Sequence, residues 1–461
     1  GYGAPGKGNT LLNYFGIGTE LIDYIVDDSS WKQGLYTPGM HIPVVSSEHL
    51  HKNKPDYILI LAWNFADSII SKISDFDMSV NRNAISDHAQ KSQISDRFII
   101  PVPIPQAVSG IVEQDLTDIC ESIMPAARAL EGSTVLITGG SGFIGSYLVA
   151  AIDNLNSKYF KVPCRVISVD NHIVGKENNL LKVIDSEHIK NVNHDVCKPF
   201  EIEEPVDYII SAAGVASPVY YKRFPIETIE GTVYGVRNAL EIARKKNSKS
   251  FLYFSSSEIY GDPDPKFVPT SESYKGNVSS IGDRSCYDES KRVGESLCMA
   301  HYKVHGTPIK IVRPFNVFGP GMIGKDYRVV PTFISQGNMG KDLTVDDKGS
   351  QTRTFCYVTD AITGFFKVLL SESSGEVYNV GNDNDEIGMK ALADMIAASV
   401  FNNEIKVQLI KYPENYPQDE PSRRCPNLSK IRKNLGYEPK VDLKTGLKRL
   451  NRWFRANSLD A

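Results

Sequence analysis

The chain has 461 residues, of which 41% are hydrophobic and 23% charged, and its net charge is −4. That length accommodates two or three domains, and the charge balance leaves no basic footprint for nucleic acid. Seven cysteines without a C-x-x-C pair suggest neither a disulfide framework nor a zinc site, and no apolar run approaches membrane-spanning length. A reduced, cytoplasmic setting fits, with no metal expected.

Residues 1–107 read as a small α/β unit. The runs L-I-D-Y-I-V (21–26), P-D-Y-I-L-I-L (55–61) and R-F-I-I-P-V (97–102) are apolar strands. Helical periodicity lies between them, most clearly over 64–72. Gly1, Gly3 and Gly6 spell G-x-G-x-x-G with no strand in front, so a plain loop and a phosphate cradle are both open. The start at Gly1 rather than a methionine suggests a piece of a longer polypeptide. His41, His49 and His51 have no accompanying carboxylate or cysteine and read as loop histidines.

Residues 108–132 predict a linking helix, acidic early at Asp115, Asp118 and Glu121 and kinked at Pro125. The large domain follows, over 133–461. Its organising stretch is T-V-L-I-T-G-G-S-G-F-I-G (134–145), a short strand, a glycine turn and a helix start. Gly139, Gly142 and Gly145 allow the backbone to approach a pyrophosphate, and the helix opening at Phe143 and Ile144 presents unpaired N–H groups to it. A second strand, R-V-I-S-V-D (165–170), ends in Asp170, 25 residues after Gly145. That is near the distance at which an acid bonds the adenosine ribose, and Asn171 follows it. An acid there favours NAD over NADP. Asp195 in N-H-D-V (193–196) is either an adenine partner or a loop turn. The strand V-D-Y-I-I-S-A-A-G (206–214) ends in small residues, Ala212 among them, as a strand crossed by a cofactor requires. The strand F-L-Y-F-S-S-S-E-I-Y-G (251–261) ends in Ser256, Ser257 and Glu258. In C-Y-D-E-S-K (286–291), Tyr287 and Lys291 stand four apart and share one helix face. A neighbouring ammonium and a positive nicotinamide are expected to lower the tyrosine pKa from about 10 toward neutrality. Lys and Arg over 244–249 read as a solvated helix end.

This order of motifs resembles the extended short-chain dehydrogenase/reductases, the NAD-dependent nucleotide-sugar epimerases, dehydratases and decarboxylases. The resemblance implies a Rossmann-type doubly wound parallel sheet, a small C-terminal substrate-binding subdomain, and a homodimer. It places Ser256, Tyr287 and Lys291 at the catalytic positions. The blocks S-S-E-I-Y-G-D-P (256–263), R-S-C-Y-D-E-S-K-R-V (284–293), R-P-F-N-V-F-G-P (313–320), Y-R-V-V-P (327–331), G-S-Q-T-R-T-F-C-Y-V (349–358) and D-E-P-S-R-R-C-P (419–426) look most like UDP-glucuronate decarboxylases. By that likeness Glu258 and Arg424 handle a sugar carboxylate, with Ser257 beside them. Asn316, Arg328 and Arg353 hold a nucleotide diphosphate. Thr232, Gly321 and Asp346 stand where such enzymes carry Asn, Arg and an aromatic.

The first hundred residues, with blocks such as G-Y-G-A-P-G-K-G-N-T-L-L-N-Y-F-G (1–16) and P-D-Y-I-L-I-L-A-W-N-F-A-D (55–67), resemble the C-terminal domain of deoxysugar C-methyltransferases. This implies a smaller Rossmann-like domain and, upstream, a covalently linked methyltransferase region. Three functions follow as expectations. The first is a nucleotide-sugar decarboxylase working through oxidation at C4. The second is a 4-epimerase or 4-ketoreductase of a C-methylated deoxysugar. The third is a non-catalytic nucleotide-sugar-binding scaffold.

Overall fold

The computed structural model describes residues 1–53, 55, 57–62, 69, 98–99, 105–173, 186–324, 328–412 and 421–457. The chain divides into two compact units, Gly1–Val108 and Ser109–Ala461.

In the first unit, Tyr2 is bridged in parallel to Val26 on one side and Ile60 on the other. Gly1 therefore precedes and Gly3 and Gly6 follow a residue bridged on both sides, with no regular strand ahead of them. Gly3 turns the chain at a φ of 84°, where an added Cβ would lie 2.4 Å from Ala62 Cβ. Helix α1 (Gly6–Phe15) starts immediately after. Strand β1 (Ile25–Val26) pairs in parallel with β2 (Val44–Val45), which the sequence reading passed over. After α2 (Ser47–Lys52), β3 (Ile58–Leu59) pairs in parallel with β4 (Phe98–Ile99). Leu12, Ile25, Ile42 and Leu61 form the core. Asp27, at the end of β1, accepts from the Ala4 amide at 2.7 Å and is closed off by Lys32 at 3.1 Å. The periodic stretch 64–72 lies outside the described residues except for the buried Ile69.

Helix α3 (Pro105–Ile123) starts earlier than the sequence predicts, and Pro125 ends it rather than kinking it: a short 3-10 turn, Ala126–Leu130, follows. Proline has no N–H for the helical ladder and its ring collides with the preceding turn. Strand β5 (Thr134–Thr138) is buried throughout and leads through the glycine turn into α4 (Phe143–Lys158). Strands β6 (Arg165–Asp170), β7 (Ile189–Asn193) and β8 (Tyr208–Ser211) follow, then α5 (Pro218–Arg223) and α6 (Pro225–Lys246). The basic run is indeed the end of α6, with Arg244, Lys245 and Lys246 in its last turn. Strand β9 (Ser250–Phe254), α7 (Ser285–His305) and β10 (Ile309–Pro314) come next. The remainder comprises β11 (Val317–Phe318), α8 (Val329–Asn338), β12 (Leu343–Asp346), β13 (Thr352–Arg353), β14 (Cys356–Tyr357) and α9 (Val358–Leu369). After these stand β15 (Glu376–Val380), β16 (Ile387–Gly388), α10 (Met389–Ser399), β17 (Val407–Ile410), β18 (Arg423–Arg424), α11 (Ser429–Leu435) and α12 (Leu443–Asn457).

Among the described residues, seven strands form one sheet in the order β15-β10-β9-β8-β5-β6-β7, every neighbouring pair parallel. Strand order reverses between β5 and β8, and ligands of such sheets bind at the crevice this reversal opens. The fold is the expected doubly wound α/β class. Smaller pairings, β12 with β17 and β13 with β16 and β18, build the C-terminal part. The long helices α6 and α7 pack side by side.

Asp115 on α3 is fully buried. It accepts from Tyr357 Oη at 2.7 Å and Arg449 Nη1 at 2.8 Å, joining α3 to β14 and α12. Asp115→Ala would strand a buried phenol and a guanidinium, so unfolding should become easier by about 3 kcal/mol. Urea denaturation checks this, and an unchanged midpoint would contradict it.

Candidate active site

The glycine turn is shaped for close approach. Gly139 sits at a φ of 75°, and a Cβ there would lie 2.8 Å from the Ala213 backbone. A Cβ on Gly145 would come within 2.1 Å of the Gly139 carbonyl oxygen. Gly142 caps α4 without a side-chain hydrogen bond, and Phe143 and Ile144 of its first turn line the cleft. Asp170 closes β6, its carboxylate accepting from Ser141 N at 3.0 Å and His172 N at 2.8 Å. Asn171 follows and accepts from Ile173 N. Asp195 makes a turn of its own, accepting from Cys197 N at 3.1 Å. These residues and Ala212 line a single cleft of about 810 Å³ that continues to Ser256, Tyr287, Asn316, Arg328, Arg353 and Arg424.

The chemistry-bearing end is built by β9 and α7. Beyond β9 the chain turns at Ser256, whose Oγ accepts from Glu258 N at 3.2 Å, and a 3-10 turn over Ser257–Tyr260 follows. Ser256 also hydrogen-bonds Tyr287. Tyr287 and Lys291 are buried on one face of α7, as their spacing requires. Lys291 Nζ donates to the Phe254 carbonyl at 2.8 Å and stands 5.8 Å from the Tyr287 ring centre. A Cβ on Gly214 would lie 3.3 Å from that Nζ, so the loop after β8 passes close to the lysine. Tyr221 of α5 stacks on Tyr287, ring centres 5.4 Å apart and planes 15° from parallel.

Burial pushes the Tyr287 phenol up to about 12. The Ser256 hydrogen bond and the Arg328 charge oppose that rise, while Glu258 and Asp288 add to it. The Lys291 ammonium is turned to a carbonyl, and burial brings its own pKa down to about 8.

Glu258 Oε2 accepts from Arg424 Nη2 at 2.7 Å, the pairing the sequence suggests, and also from Arg284 Nη2, which the sequence reading missed. Asp288, also missed, lies 3.6 Å from Arg284 Nε. Both flank Tyr287 within one quoted block, but nothing in their spacing identifies the partner 26 residues earlier. Asn316 takes a φ of 39° and donates to the Thr354 carbonyl at 2.7 Å. Arg353 donates to the Pro421 carbonyl at 2.7 Å and to that of Thr352 at 2.8 Å, and Arg328 caps α8. Ser257 is buried within the 3-10 turn, and Thr232 is buried between α6 and α7, accepting from Ser290 Oγ. Among the described residues no group of His, Cys, Asp or Glu could hold a metal, and no helix is long and apolar enough to cross a membrane.

Residues 135–381 match the NAD dependent epimerase/dehydratase family. The chain belongs to that family. It is an NAD-dependent enzyme of the epimerase/dehydratase type, and the glycine cradle that a Cβ would fill fits the dinucleotide. Residues 1–83 match the C-methyltransferase C-terminal domain. UDP-glucuronic acid decarboxylase 6 of Arabidopsis thaliana is 41% identical over 321 residues, covering 70% of this chain and 88% of its own. Among solved structures, the epimerase Mth375 of Methanothermobacter thermautotrophicus superposes with a TM-score of 0.64 at 26% identity, over 75% of this chain and 97% of its own. The dTDP-glucose 4,6-dehydratase of Streptomyces venezuelae, crystallised with NAD, has a TM-score of 0.61 at 24% identity over 70% of this chain and 97% of its own, a likeness of fold.

Proposed function

We propose that this chain decarboxylates a nucleotide-diphosphate sugar acid of the UDP-glucuronate kind through transient oxidation at C4. The observation that carries the reading is the buried Glu258–Arg424 pair, two residues along the turn from Ser256 and beside Tyr287. NAD held in the cleft would supply the hydride acceptor for the sugar C4 and the hydride for its return. Gly139, Gly142 and Gly145, with the first amides of α4, would receive its pyrophosphate. Asp170 and Asn171 would take the adenosine ribose, Asp195 the adenine, and Ala212 would leave room beside the ring.

The remaining roles fall to side chains. Ser256 orients the sugar 4-hydroxyl by the hydrogen bond it now makes to Tyr287. Tyr287 takes that hydroxyl proton as phenolate and gives it back afterwards, which requires its pKa to fall from the buried value toward the working pH. Lys291 supplies positive charge under the phenol. Asn316, Arg328 and Arg353 serve the diphosphate, since guanidinium forks suit phosphate oxygens. A 4-ketone makes the C5 carboxylate a β-keto acid, which loses carbon dioxide readily. Exposed apolar side chains on α6 and α7, Ile226, Ile229, Tyr234 and Val293, support a homodimer through these helices. Seven free thiols support a cytoplasmic setting.

A second reading is a 4-epimerase or 4-ketoreductase of a C-methylated sugar delivered by a linked methyltransferase region. It is favoured by the methyltransferase-type match of residues 1–83 and by Asp346 lining the cleft. UDP-glucuronate incubated with enzyme and NAD separates the readings. Stoichiometric carbon dioxide is expected; a nucleotide-sugar product without gas release would overturn the decarboxylase.

A further inference from the structure

Four charged side chains meet beside Tyr287: Glu258 of the 3-10 turn, Arg284 just ahead of α7, Asp288 in its first turn, and Arg424 of β18, with side-chain exposures of 14%, 8%, 8% and 7%. Their contacts are unequal. Glu258 Oε2 receives both guanidinium groups, at 2.7 Å from Arg424. Asp288 makes one ion-pair contact, 3.6 Å from Oδ2 to Arg284 Nε. Its Oδ1 is buried with no hydrogen-bond partner among the described residues.

Among the described residues this corner holds two acids and two guanidinium groups, which balance when both acids are ionised, with the Lys291 amine and Arg328 elsewhere in the same cleft. A substrate carboxylate docking on it would bring a third negative charge into a site screened from water, which is strongly disfavoured unless a proton accompanies it. Protonating Glu258 would weaken two charge-assisted bonds. Protonating Asp288 weakens a single longer contact and turns an unsatisfied oxygen into a possible donor. Burial already holds the Asp288 carboxyl well above the usual carboxylate range. The Glu258 charge acts in the same direction, and Arg284 and Arg424 act against it.

We propose that Asp288 takes up one proton when a carboxylate-bearing nucleotide sugar binds. The corner thereby keeps its charge balance and already contains the proton that decarboxylation consumes. The step balances as R–COO⁻ + H⁺ → R–H + CO2. The bond from C5 to the carboxyl carbon breaks, its electron pair passes into the 4-ketone as an enolate, and the pair returns to form the C5–H bond. Nothing is oxidised or reduced in that step. This inference rests on the sugar-acid reading above.

The test is calorimetry of UDP-glucuronate binding to NAD-loaded Tyr287→Phe protein, which binds without turning over, in buffers of different ionisation enthalpy. At about pH 8, uptake of about one proton per site is expected. UDP-glucose, lacking the carboxylate, should take up none. Adding Asp288→Asn should remove the uptake while UDP-glucuronate still binds, with retained NAD binding reporting an intact fold. Binding of UDP-glucuronate without uptake in the parent protein, or uptake unchanged by Asp288→Asn, overturns the proposal. If UDP-glucose binds and UDP-glucuronate does not, the sugar-acid reading itself fails, and this inference falls with it.

Discussion

Tyr287→Phe is expected to lower kcat by about 10³–10⁴-fold, the range for losing a positioned general acid-base group. NAD affinity should be nearly unchanged, because the dinucleotide cradle lies on the β5–α4 turn and the removed oxygen is not part of it. Stopped-flow measurement of NADH formation, alongside NAD titration, separates the two quantities. The pH profile carries a second signature. Because burial raises the phenol, activity should increase with pH as phenolate forms, and that ascending limb should vanish with the hydroxyl. Activity close to that of the parent would remove Tyr287 from the chemistry altogether.

The second large effect is expected at Arg424. Arg424→Ala leaves Glu258 buried with Arg284 as its remaining guanidinium partner among the contacts seen here. Truncating one member of a buried, hydrogen-bonded charge pair costs about 2–5 kcal/mol, so kcat/KM for UDP-glucuronate should fall by about 10²–10³-fold. Oxidation of UDP-glucose, which brings no carboxylate to this corner, should suffer much less. Equal losses on both substrates would assign Arg424 to holding the fold together.

Much of the nucleotide-binding half could be read from the chain because its signals are local. A strand, glycines at fixed offsets, a helix and an acid at the next strand end all fall within residues 134–170. The Tyr287–Lys291 face is equally local, since a helix brings positions four apart together. What stayed hidden is non-local. Arg284 and Asp288 read as ordinary charges on a helix until Glu258 and Arg424, far away in sequence, are folded onto them. Spacing likewise predicts that an amine is near Tyr287, but not that its proton is directed at the Phe254 carbonyl.

The anchoring of α3 by Asp115 bears on how this polypeptide can be dissected. A fragment cut at residue 133, where the dinucleotide motif begins, would discard the acceptor for Tyr357 and Arg449 and expose the apolar surface that Ile119, Cys120 and Ile123 now cover. A graft or shortened version that keeps α3 retains both. The piece that reads as a connector is therefore one that anyone recombining these modules would have to carry along with the catalytic half.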